Sequence, residues 1–180
     1  MLAHLVSSGV GPFYDGFAHL FVSPEDLLVV VALAVLGGLT GKPAAKWLVL
    51  ALPAAWLLGA AFGHRLLIPA PPTWLIPIGA LVTGVMVALN PRLPRWVPAL
   101  FAAVLGMLHG VANGQAMTDT NTSFVAALGI VGATALAVLL IAALCASLRQ
   151  GWQTVTARVL GSWIAAIALL SLAWQLRPAG

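Results

Sequence analysis

Charged side chains are scarce in this sequence, and acidic ones are the scarcest. Lys, Arg, Asp and Glu together make up 7% of the 180 residues, whereas a soluble domain carries roughly 25%. Hydrophobic residues make up 62%. A water-soluble fold of this length could not bury so much apolar surface, because small domains have too much surface for their volume. The sequence therefore predicts an integral membrane protein.

Other absences narrow the function. The one cysteine, Cys145, lies in an apolar run, so an intrachain disulfide is excluded and we interpret Cys145 as a packing residue. The sequence has no Gly-rich phosphate loop, nucleophile elbow or HExxH motif, and we expect no enzyme. The cations that produce the net charge of +4 are scattered, which argues against nucleic acid as a partner. Residues 1–25 lack a basic segment followed by an apolar run, so we expect no cleavable signal peptide.

Six hydrophobic runs, divided by glycine, proline and charge, predict six spanning helices, for which about 20 residues are needed; the third run is short and interrupted by proline. The predicted helices cover residues 23–41, 46–64, 74–89, 96–117, 123–148 and 155–176. They leave room for short loops only, so we predict an all-α polytopic membrane helix bundle in which residues 1–180 form a single transmembrane domain. Residues 1–22 have mixed polarity, and we expect an interfacial or re-entrant segment there.

The cations predict the orientation of the bundle. If the N-terminus lies outside, six cations fall on the inner side, namely Lys42, Lys46, Arg92, Arg95, Arg149 and Arg158. Only Arg65 and Arg177 then fall on the outer side. Cytoplasmic loops of membrane proteins carry the excess of Lys and Arg, so the sequence predicts that the N-terminus lies outside.

With that orientation, every acidic residue and every histidine falls on the outer side or in the outer half of a helix. These residues are Asp15, Glu25, Asp26, Asp119, His4, His19, His64 and His109. Carboxylates and imidazoles are common ligands of divalent transition metals. Ionisable groups at membrane depth are costly, and they mark functional sites by default.

His109 is the candidate with the clearest position. It lies about eight residues, or about 12 Å, from the end of its predicted helix, and Asn113 shares its face at i+4. Either His109 belongs to a functional site or it only donates a hydrogen bond within the bundle. His19 precedes the first predicted helix, and it remains open whether it meets His109.

Two further patterns each have two interpretations. Ser23, Glu25 and Asp26 are typical of a helix start, with Ser23 as the N-cap and Asp26 completing a capping-box-like pattern; the carboxylates could also attract a cation. The GxxxGxxxG pattern of Gly106, Gly110 and Gly114 allows close helix approach. We favour packing within the chain over a seam between copies.

Two segments resemble motifs of the HupE/UreJ family. The first is Gly16-Phe17-Ala18-His19, followed by Glu25-Asp26-Leu27-Leu28. It is similar to the family's Gly-Phe-x-His-Pro-x-x-Gly-x-Asp-His-Leu-Leu. The second is Leu108-His109-Gly110-Val111-Ala112-Asn113-Gly114-Gln115, which is similar to His-Gly-x-Ala-His-Gly-x-Glu. The resemblance implies a multi-pass protein of the bacterial inner membrane that transports nickel or cobalt, in association with hydrogenase or urease maturation.

The resemblance also implies a ligand set. It consists of His19, Glu25, Asp26 and His109, with Asn113 and Gln115 as weaker ligands or supporting groups. Compared with the family motifs, two imidazoles and one carboxylate are replaced, which favours harder cations than nickel. We expect no permanently bound cofactor; the lipid bilayer, the transported metal ion, and a second copy or a membrane subunit are the expected partners. The alternatives are an accessory or structural subunit of a membrane complex, and a conduit for a small neutral solute.

Overall fold

The computed structural model describes residues 9–65, 71–148 and 151–177, and their regular secondary structure is entirely α-helical. The helices are α1 (Pro12–Val22), α2 (Pro24–Thr40), α3 (Lys42–Arg65), α4 (Leu75–Leu89), α5 (Val97–Asp119), α6 (Val125–Ala146) and α7 (Gly151–Gln175). His4 and Arg149, which were assigned above to the outer and inner sides, lie outside the described residues.

The described helices give four membrane spans, or five if α1 and α2 form one bent span, and with the short helix α4 they are compatible with the six predicted spans. Four of them, α3, α5, α6 and α7, are long and apolar enough to cross a bilayer. Helices α1 and α2 pass the same test only together, and they meet at a bend of 74°. Helix α4 is an apolar helix of 15 residues, about 22 Å long at 1.5 Å per residue, and is therefore short for a span. The predicted all-α membrane bundle is confirmed, and residues 12–22 form a helix of their own.

Helix α2 lies at the centre of the bundle and contacts each of the other six helices. Its side chains are buried around almost the whole circumference, from Val29 and Val30 through to Gly37 and Gly38. A helix that is apolar on every side has no preferred outward face, and it is stable only inside a protein or a membrane. The most enclosed helix thus also carries the acidic residues of the first predicted span.

Glycines let three helix pairs approach closely. On α5, a Cβ at Gly110 would overlap the carbonyl oxygen of Trp56 on α3. A Cβ at Gly161 on α7 would lie 2.7 Å from the amide nitrogen of Ala88 on α4. A Cβ at Gly16 on α1 would overlap the backbone of α6. In lipid, the hydrophobic effect does not drive helices together. Small residues at such contacts let the helix backbones approach closely, and the resulting van der Waals packing stabilises the helix pair.

The turn between α2 and α3 also depends on glycine. Gly41 has φ +119°, a backbone conformation that side chains with a Cβ rarely adopt. Its amide donates to the carbonyl oxygens of Gly37 and Gly38, which ends α2. Helix α3 begins at the next residue, Lys42. The chain therefore reverses within one residue, and the two lysines of α3 lie at the same end of the bundle as the C-terminus of α2.

Candidate cation site

The site begins at the break between α1 and α2. Ser23 occupies the N-cap position of α2, but its side chain makes no capping hydrogen bond. Its amide donates to the carbonyl oxygen of His19 at 2.9 Å, and its carbonyl accepts from Leu27 at 3.0 Å. The capping-box interpretation therefore fails, because the Asp26 carboxylate is engaged elsewhere.

Asp26 bonds across the bundle to α5. Its Oδ1 lies 2.7 Å from His109 Nδ1, and its Oδ2 accepts a hydrogen bond of 3.1 Å from Asn113 Nδ2. His19 Nε2 lies 3.6 Å from Oδ2. The side chains of His19 and Asp26 are each 7% exposed, and that of His109 is 1% exposed. We call these four residues (His19, Asp26, His109 and Asn113) the carboxylate cluster.

The hydrogen-bond roles in the cluster follow from the carboxylate. An ionised carboxylate can only accept hydrogen bonds, so His109 donates from Nδ1. In a neutral imidazole, the other nitrogen then carries a free lone pair. His109 Nε2 is buried and has no hydrogen-bond partner among the described residues. In neutral His109, the lone pair of Nε2 is therefore available to a ligand, next to the negative charge of the buried Asp26 carboxylate.

The cluster lies below the surface of the bundle. His109 is ten residues before the end of α5 at Asp119, a distance of about 15 Å along the helix. Helices α3 and α5 end together, since His64 Nδ1 near the end of α3 lies 3.0 Å from Thr118 Oγ1. Asp26, although it is only the third residue of α2, reaches His109 at this depth. The bend between α1 and α2 consequently lies within the bundle.

Trp56 forms one wall beside His109 and was not anticipated from the sequence. The two rings are 5.1 Å apart between centroids, at an angle of 41°. Trp56 is 1% exposed, and its Nε1 is a second buried nitrogen for which the described part of the chain provides no hydrogen-bond partner. The sequence did contain a signal for Trp56. Tryptophan is enriched at the membrane interface, whereas Trp56 lies in the middle of a predicted span.

Two residues of the predicted set lie elsewhere. Glu25 is exposed, and its Oε1 lies 3.5 Å from Gln175 Nε2 on α7, in a crevice between α2, α4 and α7. Successive helical residues point about 100° apart, so Asp26 and its neighbour Glu25 face different helices. Gln115 is six residues from His109 on α5, and its Oε1 is buried without a hydrogen-bond partner in the described ranges. Its neighbour Gly114 packs against Ala60 of α3.

The described residues contain no ready-made metal site. Within residues 9–65, 71–148 and 151–177, no three His, Cys, Asp or Glu side chains are grouped so that they could hold a metal ion. The reason is visible in the cluster, where Asp26 and the two imidazoles point at one another. A cation that bound here would have to use His109 Nε2 or replace one of these contacts.

Comparison with known proteins identifies the family to which this chain belongs. A sequence profile described as "HupE / UreJ protein" matches residues 1–171. The chain belongs to the HupE/UreJ family. Members of this family are multi-pass membrane proteins associated with nickel or cobalt transport or with accessory roles, and the family is not a known enzyme family. Searches of curated proteins and of solved structures found no match.

Proposed function

We propose that this HupE/UreJ protein is an inner-membrane permease for a divalent transition-metal cation, and that the cation pauses at the carboxylate cluster. One observation carries the proposal. Asp26 is buried in the bundle, and its described partners are two histidines and an asparagine, with no lysine or arginine. A buried carboxylate costs several kcal/mol unless a positive charge or strong hydrogen bonds compensate it. His109 and Asn113 supply hydrogen bonds, and a passing cation adds the positive charge that neutral imidazoles and an amide do not carry.

The donor set suits such a cation. His109 binds through Nε2, while Asp26 holds its Nδ1–H, an arrangement typical of histidines that ligate metals. His19 lies on the other carboxylate oxygen and brings a second imidazole. The helix break adds backbone carbonyls at the end of α1, and such carbonyls coordinate cations in transporters with broken helices. Asn113 keeps Oδ2 of Asp26 in place.

Glu25 has a different role in this proposal. It is exposed at the start of α2, next to the small crevice against α4 and α7. An exposed carboxylate at the predicted outer end raises the local concentration of cations without binding them tightly. Asp119, which is also exposed at that end, adds to the same field. The cation is thus attracted first by Glu25 and then held by the cluster.

Metal uptake into proteoliposomes tests the proposal. Purified protein is reconstituted into liposomes that enclose a metal-sensitive dye. Nickel, cobalt, manganese and zinc are then added in turn to the outside solution. The variants are Asp26→Asn and His109→Gln, both close in size to the native side chains. His64→Gln is the matched control, since His64 bonds Thr118 outside the cluster.

The proposal expects that at least one of these metals enters vesicles with the wild-type protein. Uptake should fall about 10- to 100-fold in the two cluster variants, the usual cost of losing a group that supports a metal ligand. It should be unchanged in His64→Gln. Uptake that survives both cluster substitutions would overturn the assigned site. A folded wild-type protein that transports none of the four metals would overturn the permease assignment and favour the accessory-subunit alternative.

A further inference from the structure

An apolar groove lies at the opposite end of the bundle from the carboxylate cluster. It has a volume of about 510 Å³ and runs between the first half of α3 and the second half of α6. Val49, Leu50 and Leu139 line it together with small residues, among them Ala142 and Ala143. The small side chains of α6 leave a slot beside α3 that no described side chain fills.

Two lysines stand at one end of this groove. Lys42 and Lys46 both line it, and they are one helical turn apart, so they project from the same face of α3. Both are exposed, and neither forms an ion pair within the described residues. The described acids nearest in the sequence, Glu25 and Asp26, belong to the other end of α2. The described residues therefore do not neutralise the charge of the two lysines.

We propose that this groove is a binding site for a phospholipid of net negative charge. Its acyl chain lies along the slot between α3 and α6, and its phosphate contacts Lys42 and Lys46. Basic pockets between transmembrane helices recognise anionic headgroups in this way. A zwitterionic lipid carries its own ammonium group next to the phosphate, so it gains less from the two lysines.

The location gives the lipid a structural role. The groove runs along the contact between α3 and α6. Helix α3 carries Trp56 against His109, and α6 carries the helix face on which α1 packs. A bound acyl chain would hold these two helices together. This inference does not depend on what the carboxylate cluster transports.

Native mass spectrometry of the detergent-solubilised protein tests the site. The protein is mixed with equal amounts of phosphatidylglycerol and phosphatidylcholine, and the fraction of protein that retains each lipid is measured. The test variant is Lys42→Gln/Lys46→Gln. The control variant is Arg92→Gln/Arg95→Gln, which loses the same charge from exposed residues that do not line the groove.

We expect the wild-type protein to retain phosphatidylglycerol in preference to phosphatidylcholine. Affinity should fall about 5-fold for each lysine removed and about 30-fold for the pair, and it should be unchanged in the arginine variant. Ala143→Phe, which fills the slot but keeps both lysines, should also displace the lipid. An equal loss of affinity for phosphatidylglycerol in the lysine and arginine variants would overturn the proposal. The lipid would then be attracted by the net charge of the protein and not by the two lysines of the groove. Full competition by inorganic phosphate alone would also overturn the proposal, because the ligand would then be a free anion.

Discussion

Asp26 Oδ1 and His109 Nδ1 are 2.7 Å apart, although 83 residues separate them in the chain. Their contact joins the first turn of the central helix to the middle of α5. It also fixes which nitrogen of His109 remains free. The two side chains therefore act as one unit, and their substitutions should not be independent.

A double-mutant cycle tests this coupling. Asp26→Asn and His109→Gln should each lower metal affinity about 10- to 100-fold. The double variant should lose little more than the worse of the two single variants, because groups that act together are not additive. Metal affinity is measured by isothermal titration of the detergent-solubilised protein. Losses that multiply in the double variant would mean that the two residues act separately.

Glycine substitutions test the packing of α3 against α5. Gly110→Ala should lower the free energy of unfolding by about 1–3 kcal/mol, because the new Cβ overlaps the carbonyl oxygen of Trp56. Gly132→Ala is the control, since its Cβ would meet only Phe13 Cζ at 3.9 Å. That variant should stay within about 1 kcal/mol of the wild type. Unfolding in mixed detergent gives both values. Equal stability of the two variants would contradict the close contact of α3 with α5.

Much of this fold could be predicted from hydrophobicity alone. The predicted boundaries of the third and fourth spans, 74–89 and 96–117, differ from α4 (Leu75–Leu89) and α5 (Val97–Asp119) by at most two residues. Proline and charge interrupt the apolar runs there, so the ends are marked in the sequence. The helix over Pro12–Val22 was less visible, because its 11 residues are too few to span and their polarity is mixed.

The candidate site was harder to predict than the fold. His19, Asp26, His109 and Asn113 were all singled out, but the sequence could not show that they meet. The sequence also could not show which of Asp26 and Glu25 points into the bundle. Helix α2 is apolar on all its other faces, so no single apolar stripe indicates which face is buried. Only the packing of α2 against α5 and α7 directs the two carboxylates to different places.

Substitutions of Trp56 test whether its indole nitrogen matters. Trp56→Phe should lower the free energy of unfolding by about 1–2 kcal/mol, because the ring becomes smaller while the aromatic contact with His109 is kept and Nε1 has no partner to lose among the described residues. Trp56→Ala should cost about 3–5 kcal/mol through the cavity it leaves. Thermal unfolding in detergent provides the comparison. A cost of Trp56→Phe as large as that of Trp56→Ala would contradict this prediction.

Cysteine labelling in intact cells tests the predicted orientation. Starting from Cys145→Ala, single cysteines are placed at the exposed positions Asp119 and Arg92. A membrane-impermeant maleimide should label Asp119→Cys in intact cells, and Arg92→Cys only after permeabilisation, because the cation-rich side faces the cytoplasm. The opposite pattern would place the carboxylate cluster towards the cytoplasm.

The position of α1 has a consequence for how the protein is made. Its 11 residues extend about 16 Å, so α1 cannot cross the bilayer by itself. Its close contacts, Gly16 against Ala126 and Phe13 against Gly129, are with α6, which leaves the ribosome after most of the chain. His19 is carried by α1 and reaches Asp26 only when α1 is seated. The cluster is therefore completed late, after α6 has inserted and α1 has packed against it.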